Sequence, residues 1–561
     1  MAVTRRFLQV GARRVHYFRA GDGPPAVLLH SSPANARLLR KEIDQLSADF
    51  TVFAFDTPGF GLSDPLPLAE MQVADLADAM AETLAAIDMP RCPMFGTHTG
   101  AAIALELGVR HPGRVTGLVL DGVPAFTDEE CERFFGSYFR AMPPSELGGH
   151  FAEAWTRFRD QSIWFPWTNR TPDRLNPYDL GPPHSTHLWV QMFLDAAEHY
   201  APAYRAASFY GARAIAAVAA LAIPAVFCAI ETDMLHGHLD RLPPLRADQA
   251  IVPIGNSFER KRRLIAESFS RFGADGPPPA DRDAIASSAT VARQFIDGTA
   301  GQLHLRTCGE RAAPALLLFH DAPGSAEQAE RLISDLATRF FVVAPDLPGN
   351  GESDALAQLP VIEALAGEGA HVLERLGIGK AIAYGVGFGS SVAFAFAQQH
   401  ADRATAVAVQ GVLLPDDVER SDMAERYAAP IAIEPDGAHW YRTWLMLRDS
   451  QVYWPWYDRR LAATRKTPAD LTARRLNRWT MDVMRARETY HQLVMAALDH
   501  DAVAALGALT GLLTIVRDPA TPLAAHDDRL LALRPDAVAV DRGLPDFADT
   551  LHQAIFREDT E

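Results

Sequence analysis

The run Phe95-Gly96-Thr97-His98-Thr99-Gly100-Ala101-Ala102 joins a β-rich stretch to an alanine-rich, helix-prone one. It has the outline of Gly-x-Ser-x-Gly, a sharp strand-to-helix turn that lifts its central side chain above a sheet, but His98 stands at the tip in place of serine. An imidazole has an unperturbed pKa of about 6.5 and accepts a proton at neutral pH. Two carboxylates are candidates to orient it: Asp121, just past the apolar run Leu118-Val119-Leu120, and Asp233 in Glu231-Thr232-Asp233. His236-Gly237-His238 lies close by, a weak signal for a metal site shared with His98 and Asp233. We expect neither a metal nor a cofactor here.

The elements that must position these groups occur twice. Asp56-Thr57-Pro58-Gly59-Phe60-Gly61-Leu62-Ser63-Asp64 answers to Asp346-Leu347-Pro348-Gly349-Asn350-Gly351-Glu352-Ser353-Asp354. Gly96-Thr97-His98-Thr99-Gly100 falls on Gly385-Val386-Gly387-Phe388-Gly389, and Val15-His16-Tyr17 on Leu303-His304-Leu305. The apolar stripe Val73, Leu76, Leu84 and Ile87 returns as Ile362, Leu365, Leu373 and Leu376, spaced to lay one helical face on a sheet. His150, Trp155, Arg159-Asp160 and Pro166-Trp167 recur as His439, Trp444, Arg448-Asp449 and Pro455-Trp456. The chain is a tandem duplication. The Gly- and Pro-rich stretch after Phe272 reads as a linker, which gives domains at 1–275 and 291–561 joined by 276–290.

Length and composition agree. With 561 residues, the chain exceeds one ordinary hydrophobic core. Apolar residues at 48% and charged residues at 22% are values of a soluble globular protein. A formal charge of -17 disfavours nucleic acid or an anionic membrane as main partner and leaves a small-molecule substrate as the expectation. No apolar signal core or membrane-length stretch is read, and Cys92, Cys131, Cys228 and Cys308 are scattered. We expect small buried thiols and a cytoplasmic protein.

Short apolar strands alternate with amphipathic helices in each half, the pattern of a mostly parallel sheet flanked by helices on both faces. The order of motifs is His-x-x-Pro loop, Asp-x-Pro-Gly-x-Gly-x-Ser-Asp, strained turn, helical insertion, then strand plus Asp. In that order the chain resembles the α/β-hydrolase superfamily over most of both halves. The resemblance implies an α/β fold of two α/β-hydrolase-like domains, each with a helical cap insertion, at about 125–215 and 415–500. Trp164 and Trp167 would then face an apolar pocket. It also implies that the loop His30-Ser31-Ser32-Pro33, with Thr99, supplies backbone N–H groups to a developing oxyanion. His30 and His320 are commonly structural hydrogen-bonding residues in such a family, with a ligand contact as the alternative. Arg159-Asp160 is expected as a charge pair within the cap, the alternative being a bidentate grip of Arg159 on a substrate carboxylate.

The catalytic match breaks at particular residues. The nucleophile position holds His98 and Gly387, the acid position Asp233 and Asp518, and the terminal base position Gly255-Asn256 and Gly543-Leu544. A standard Ser-His-Asp mechanism is not expected in either half. The sequence leaves open His98 as base or nucleophile on an ester, lactone or activated C–C bond, the same site as a lyase, isomerase or cofactor-free oxygenase, and a non-catalytic binding protein or scaffold. The second half, with Gly387, and with Gln410 where the first has Asp121, is expected to be degenerate. The duplication suggests an internal pseudo-dimer, with homo-oligomers as a further expectation.

Overall fold

The computed structural model describes residues 3–281 and 288–556. Residues 282–287, inside the expected linker, lie outside the described residues. The chain divides into two compact units near this point. Strand structure is described from Ser288 onward, within the expected span of the linker.

The first domain holds eight strands: β1 (Thr4–Val10), β2 (Arg13–Ala20), β3 (Pro25–Leu29), β4 (Thr51–Phe55), β5 (Cys92–Thr97), β6 (Val115–Asp121), β7 (Ala225–Cys228) and β8 (Gln249–Ile251). They lie in the order β1-β2-β4-β3-β5-β6-β7-β8. β2 is antiparallel to β1 and β4, and every later pairing is parallel. All of β3, β4, β5, β6 and β7 is buried, as a parallel sheet covered on both faces requires.

Three helices come before the centre of this sheet is complete: α1 (Arg40–Leu46), α2 (Val73–Ala86) and α3 (Thr99–Arg110). The α2 stripe Val73, Leu76 and Leu84 is buried. Five more lie between β6 and β7: α4 (Asp128–Phe135), α5 (Gly149–Ile163), α6 (Pro183–Ala196), α7 (Tyr200–Ser208) and α8 (Gly211–Ala220). The insertion therefore runs a few residues past the expected end at 215. The last helix, α9 (Phe258–Phe272), returns to the sheet and ends at Gly273, which has φ +62°.

The second domain repeats this plan. Its strands are β9 (Ser288–Asp297), β10 (Gln302–Gly309), β11 (Ala315–Phe319), β12 (Phe341–Pro345), β13 (Ala381–Val386), β14 (Ala404–Gln410), β15 (Leu513–Arg517) and β16 (Val538–Asp541). Their order, β9-β10-β12-β11-β13-β14-β15-β16, is that of the first sheet. Five helices between Asp417 and Ala508 fill the same place between β14 and β15.

The shared Asp-x-Pro-Gly-x-Gly-x-Ser segment is architecture. Asp56 accepts the His16 ring N–H at 2.8 Å and the backbone N–H groups of Ala36 (2.8 Å) and Leu62 (3.0 Å). Asp346 takes the same three partners from His304, Ala326 and Glu352. Both carboxylates are buried, and each tethers the loop behind its strand to two neighbouring segments.

Close backbone approach sets the turn after β5. A Cβ on Gly96 would sit 2.2 Å from the carbonyl oxygen of Gly100, and one on Gly100 would sit 2.2 Å from that of Leu29. Only glycine lets α3 start this close to β3. Gly100→Ala should therefore lower stability by about 1–3 kcal/mol through forced backbone displacement. Gly113→Ala, where an added Cβ meets nothing within 4 Å, should leave it nearly unchanged. Denaturant unfolding of the two variants checks the contrast.

Candidate active site in the first domain

His98 occupies the tip of the turn with φ +50° and ψ −108°, outside the regions that L-residues favour. Such a conformation costs on the order of 1–3 kcal/mol and persists because the surrounding packing over-determines it. Its N–H donates to the Asp121 carbonyl oxygen at 2.9 Å and its carbonyl accepts from Ala102 at 3.0 Å, so β6 and α3 fix the backbone on both sides. The side chain is left one-third exposed.

The ring reaches Asp233, at 2.9 Å between Nε2 and Oδ2. Asp233 lies in the loop after β7, where its Oδ1 accepts the N–H of Leu235 at 2.8 Å. Burial opposes charge on both groups. In His98 the Asp233 charge and hydrogen bond outweigh it, and the imidazole pKa is raised above 6.5. In Asp233 the His98 charge and hydrogen bond likewise prevail and bring the carboxyl down to about 2. With Nε2–H held by the carboxylate, Nδ1 has no protein partner among the described residues and carries the lone pair.

Asp121, the other candidate, is spent elsewhere. Its Oδ2 accepts from Lys261 Nζ at 3.0 Å and from the Thr97 hydroxyl at 3.1 Å. Lys261 is a charge on the buried face of α9, beside Ile265, Ser268 and Phe269. A lysine at core spacing is rare unless paired, and that spacing was the available signal for the pair. The ammonium and carboxylate, both nearly buried, form an ion pair below the turn. The terminal base position is filled by Asn256, whose side-chain oxygen accepts the N–H of Thr232 at 2.9 Å. It steadies the acid loop instead of supplying a base.

His30 is fully buried and both ring nitrogens are engaged. Nε2 accepts the N–H of Thr57 at 3.0 Å, so Nδ1–H donates to the Ser31 carbonyl at 3.0 Å. Burial lowers its pKa, which keeps it neutral. This is the structural alternative, repeated by His320 with Leu347 and Asp321. Ser31, Ser32 and Thr99 are buried beside the turn, and the Ser32 N–H points at the Thr99 hydroxyl across 3.4 Å. The first-turn N–H groups of α3 have no intrahelical acceptors. The two backbone donors expected for an oxyanion thus lie next to one another.

The insertion places an aromatic cluster near the turn. Leu235 and the His98 ring both lie against Gly122, where an added Cβ would meet His98 Cδ2 at 2.8 Å and Leu235 Cδ1 at 3.3 Å. Leu235 belongs to a buried group with Phe126, Cys131, Phe135 and Tyr138, onto which the half-buried Trp167 and Tyr204 pack. Trp164 is half-buried and pairs its backbone with Leu175.

Arg159 is exposed, and Asp160 pairs instead with Arg170 at 2.8 Å. Asp449 pairs with Arg459 in the same way, at 2.9 Å. The duplicated motif is thus a structural ion pair, but with a partner ten residues away. The buried arginine of α5 is Arg157, whose guanidinium lies over the rings of Phe193, Tyr200 and Trp167 and donates to the Tyr200 hydroxyl at 2.9 Å. Comparison of the halves would have found it, since Met446 stands at the matching place.

His238 is buried. Its Nδ1 accepts the N–H of Ala125 at 3.0 Å, and burial brings its pKa down to about 4. Among the described residues no three His, Cys, Asp or Glu side chains are grouped to hold a metal ion. All four cysteines are free and buried. No helix among the described residues is long and apolar enough to cross a membrane.

Comparison with known proteins adds the family. The model described as "alpha/beta hydrolase fold" matches residues 24–147 and again 314–452. Epoxide hydrolase 3 of Xenopus tropicalis is 32% identical over 114 residues, 20% of this chain and 31% of that protein. The (E)-2-((N-methylformamido)methylene)succinate hydrolase of Acinetobacter baylyi is 31% identical over 112 residues, 20% of this chain and 42% of that one. These matches span less than half of either relative. The crystal structure of E-2-(acetamidomethylene)succinate hydrolase aligns over 48% of this chain and 99% of its own, with 17% identity and a TM-score of 0.38. Matched in both halves by one family model, and built twice on one sheet order, the chain belongs to the α/β-hydrolase superfamily and carries two of its domains in tandem.

Proposed function

We propose that the first domain is a hydrolytic site for a small organic substrate, an ester, lactone or activated C–C bond, in which His98 is the general base. The observation that carries this reading is the 2.9 Å bond from His98 Nε2 to Asp233. It holds the imidazole in one tautomer and stabilises the imidazolium that forms when Nδ1 takes a proton. In this reading water bound at Nδ1 gives up a proton and attacks the substrate carbonyl. The oxyanion is held by the N–H groups of Ser32 and Thr99, and the imidazolium returns the proton to the leaving group. The helical insertion acts as a cap, and its aromatic cluster favours an apolar substrate. The family relationship supports hydrolysis as the reaction class.

Turnover of a panel of aryl esters, lactones and β-dicarbonyl compounds tests the reading. His98→Ala should lower kcat/KM by about 10²- to 10⁴-fold, and activity that survives the change intact would remove the mechanism. The working form is the unprotonated imidazole, whose pKa is raised. Hence kcat/KM should climb with pH through an inflection above 6.5, and Asp233→Asn should move that inflection down while lowering the plateau.

The same pair predicts a stability profile. A raised His98 pKa contributes stability fully below about pH 6.5 that is lost as pH rises through the folded value. The lowered Asp233 pKa contributes above its unfolded 3.8 and is lost as pH falls toward about 2. The difference in unfolding midpoint between the parent and His98→Asn should therefore be more unfavourable to the variant near pH 5 than near pH 9, as differential scanning calorimetry at the two values would show.

A further inference from the structure

The second domain repeats the strained turn with no side chain on it. Gly387 has φ +52°. The space a side chain would occupy is nonetheless filled, because a Cβ on Gly387 would lie 2.0 Å from Asp321 Oδ1. Asp321 comes from the loop after β11, at the place Ser31 takes in the first domain. Ser31 is buried there, whereas Asp321 is exposed.

The carboxylate is anchored through one oxygen. Oδ1 accepts the backbone N–H groups of Ala322 and Phe388, each at 2.9 Å. These are the counterparts of Ser32 and Thr99, the donor pair next to His98. Oδ2 has no protein partner among the described residues, and no arginine, lysine or histidine is paired with the group. The ring of Phe388 packs on Tyr427 at 5.4 Å, and Tyr427 packs on Trp454 at 5.6 Å. Desolvation by the surrounding protein pushes the carboxyl up to about 6, against the pull of its two N–H bonds.

We propose that the second domain is a proton-transfer site in its own right, in which Asp321 Oδ2 is the base for a small apolar substrate with an acidic C–H bond. The proton moves from carbon to Oδ2, and the electron pair of the C–H bond passes into the substrate to expel its leaving group. Oδ1 stays on the two N–H donors and keeps the carboxylate aimed. A partly desolvated carboxylate with one free oxygen is a stronger base than one fully in water. The inference stands independently of the His98 reading, because it rests on other residues in the other domain.

A nitrobenzisoxazole probes it with the full chain. Its C–H proton goes to Oδ2, the ring N–O bond breaks, and a cyanophenolate leaves and absorbs visibly, with no co-reactant. Assayed in a His98→Asn background, turnover should saturate and rise with pH through about 6. Adding Asp321→Asn keeps an oxygen for both N–H donors, so the fold should hold while the rate drops about a hundredfold. Gly387→Ala should lower the rate too, since its Cβ must push the carboxylate off its donors. Two results would overturn the proposal: turnover no faster than that of free acetate at equal pH, or a rate within roughly twofold after Asp321→Asn. Either would mean that Asp321 only plugs the two N–H groups.

Discussion

Both domains depend on the close approach of a helix N-terminus to the neighbouring parallel strand. In the first, glycines at 96 and 100 bring α3 within backbone contact of β3, and in the second Gly385 and Gly389 do the same against Phe319. The residue between the paired glycines has no room for ordinary dihedrals and takes positive φ at His98 and at Gly387 alike. The strain belongs to the packing and not to the side chain. The position is therefore a socket whose occupant changes without disturbing the sheet, the crossover helices or the buried Asp56 and Asp346 tethers.

This explains what the sequence made legible. Strand order, duplication and the apolar stripes follow from periodicity and from motifs that recur at nearly constant spacing, because each rests on local geometry repeated in two copies. Asp233 was legible because it follows a strand, in the loop after β7, at the family's acid position. Its rival Asp121 is the last residue of β6, and nothing in the sequence around either one shows which faces His98. What separates them is Lys261, 140 residues further on, whose ammonium claims Asp121. Such pairings are invisible to a linear reading unless the distant charge sits at a core spacing, as Lys261 does on α9. The expected Arg159–Asp160 pair fails for a related reason. Adjacent Arg159 and Asp160 on a helix point about 100° apart, so the buried aspartate takes Arg170 from the following loop.

The two polar systems in each domain also divide by burial. The His16–Asp56 and His304–Asp346 pairs are almost wholly inaccessible; both carboxylates take backbone donors, and Asp346 also pairs with Arg306 at 2.9 Å. In such positions ionisable groups fix loops and exchange nothing with solvent. His98, Asp233 and Asp321 keep accessible surface together with a shifted pKa. Solvent access together with a shifted pKa is what the roles proposed for these three groups require.

The copies differ in a correlated way. Where the turn carries a side chain, the preceding loop has serine at 31. Where the turn is bare, the loop has aspartate at 321. The two arrangements exclude each other sterically, because the Asp321 carboxylate lies where the Cβ of any residue at 387 would go. A domain can raise a functional group from the turn or deliver one from the loop, but cannot hold both over the same pair of N–H donors. Loss of the residue at the tip therefore need not mean loss of the site, for the backbone that strains the turn also leaves two N–H groups in want of an acceptor. In the first domain the Ser32 N–H meets only the Thr99 hydroxyl among the described residues, across 3.4 Å, and in the second the chain supplies a carboxylate oxygen to both donors.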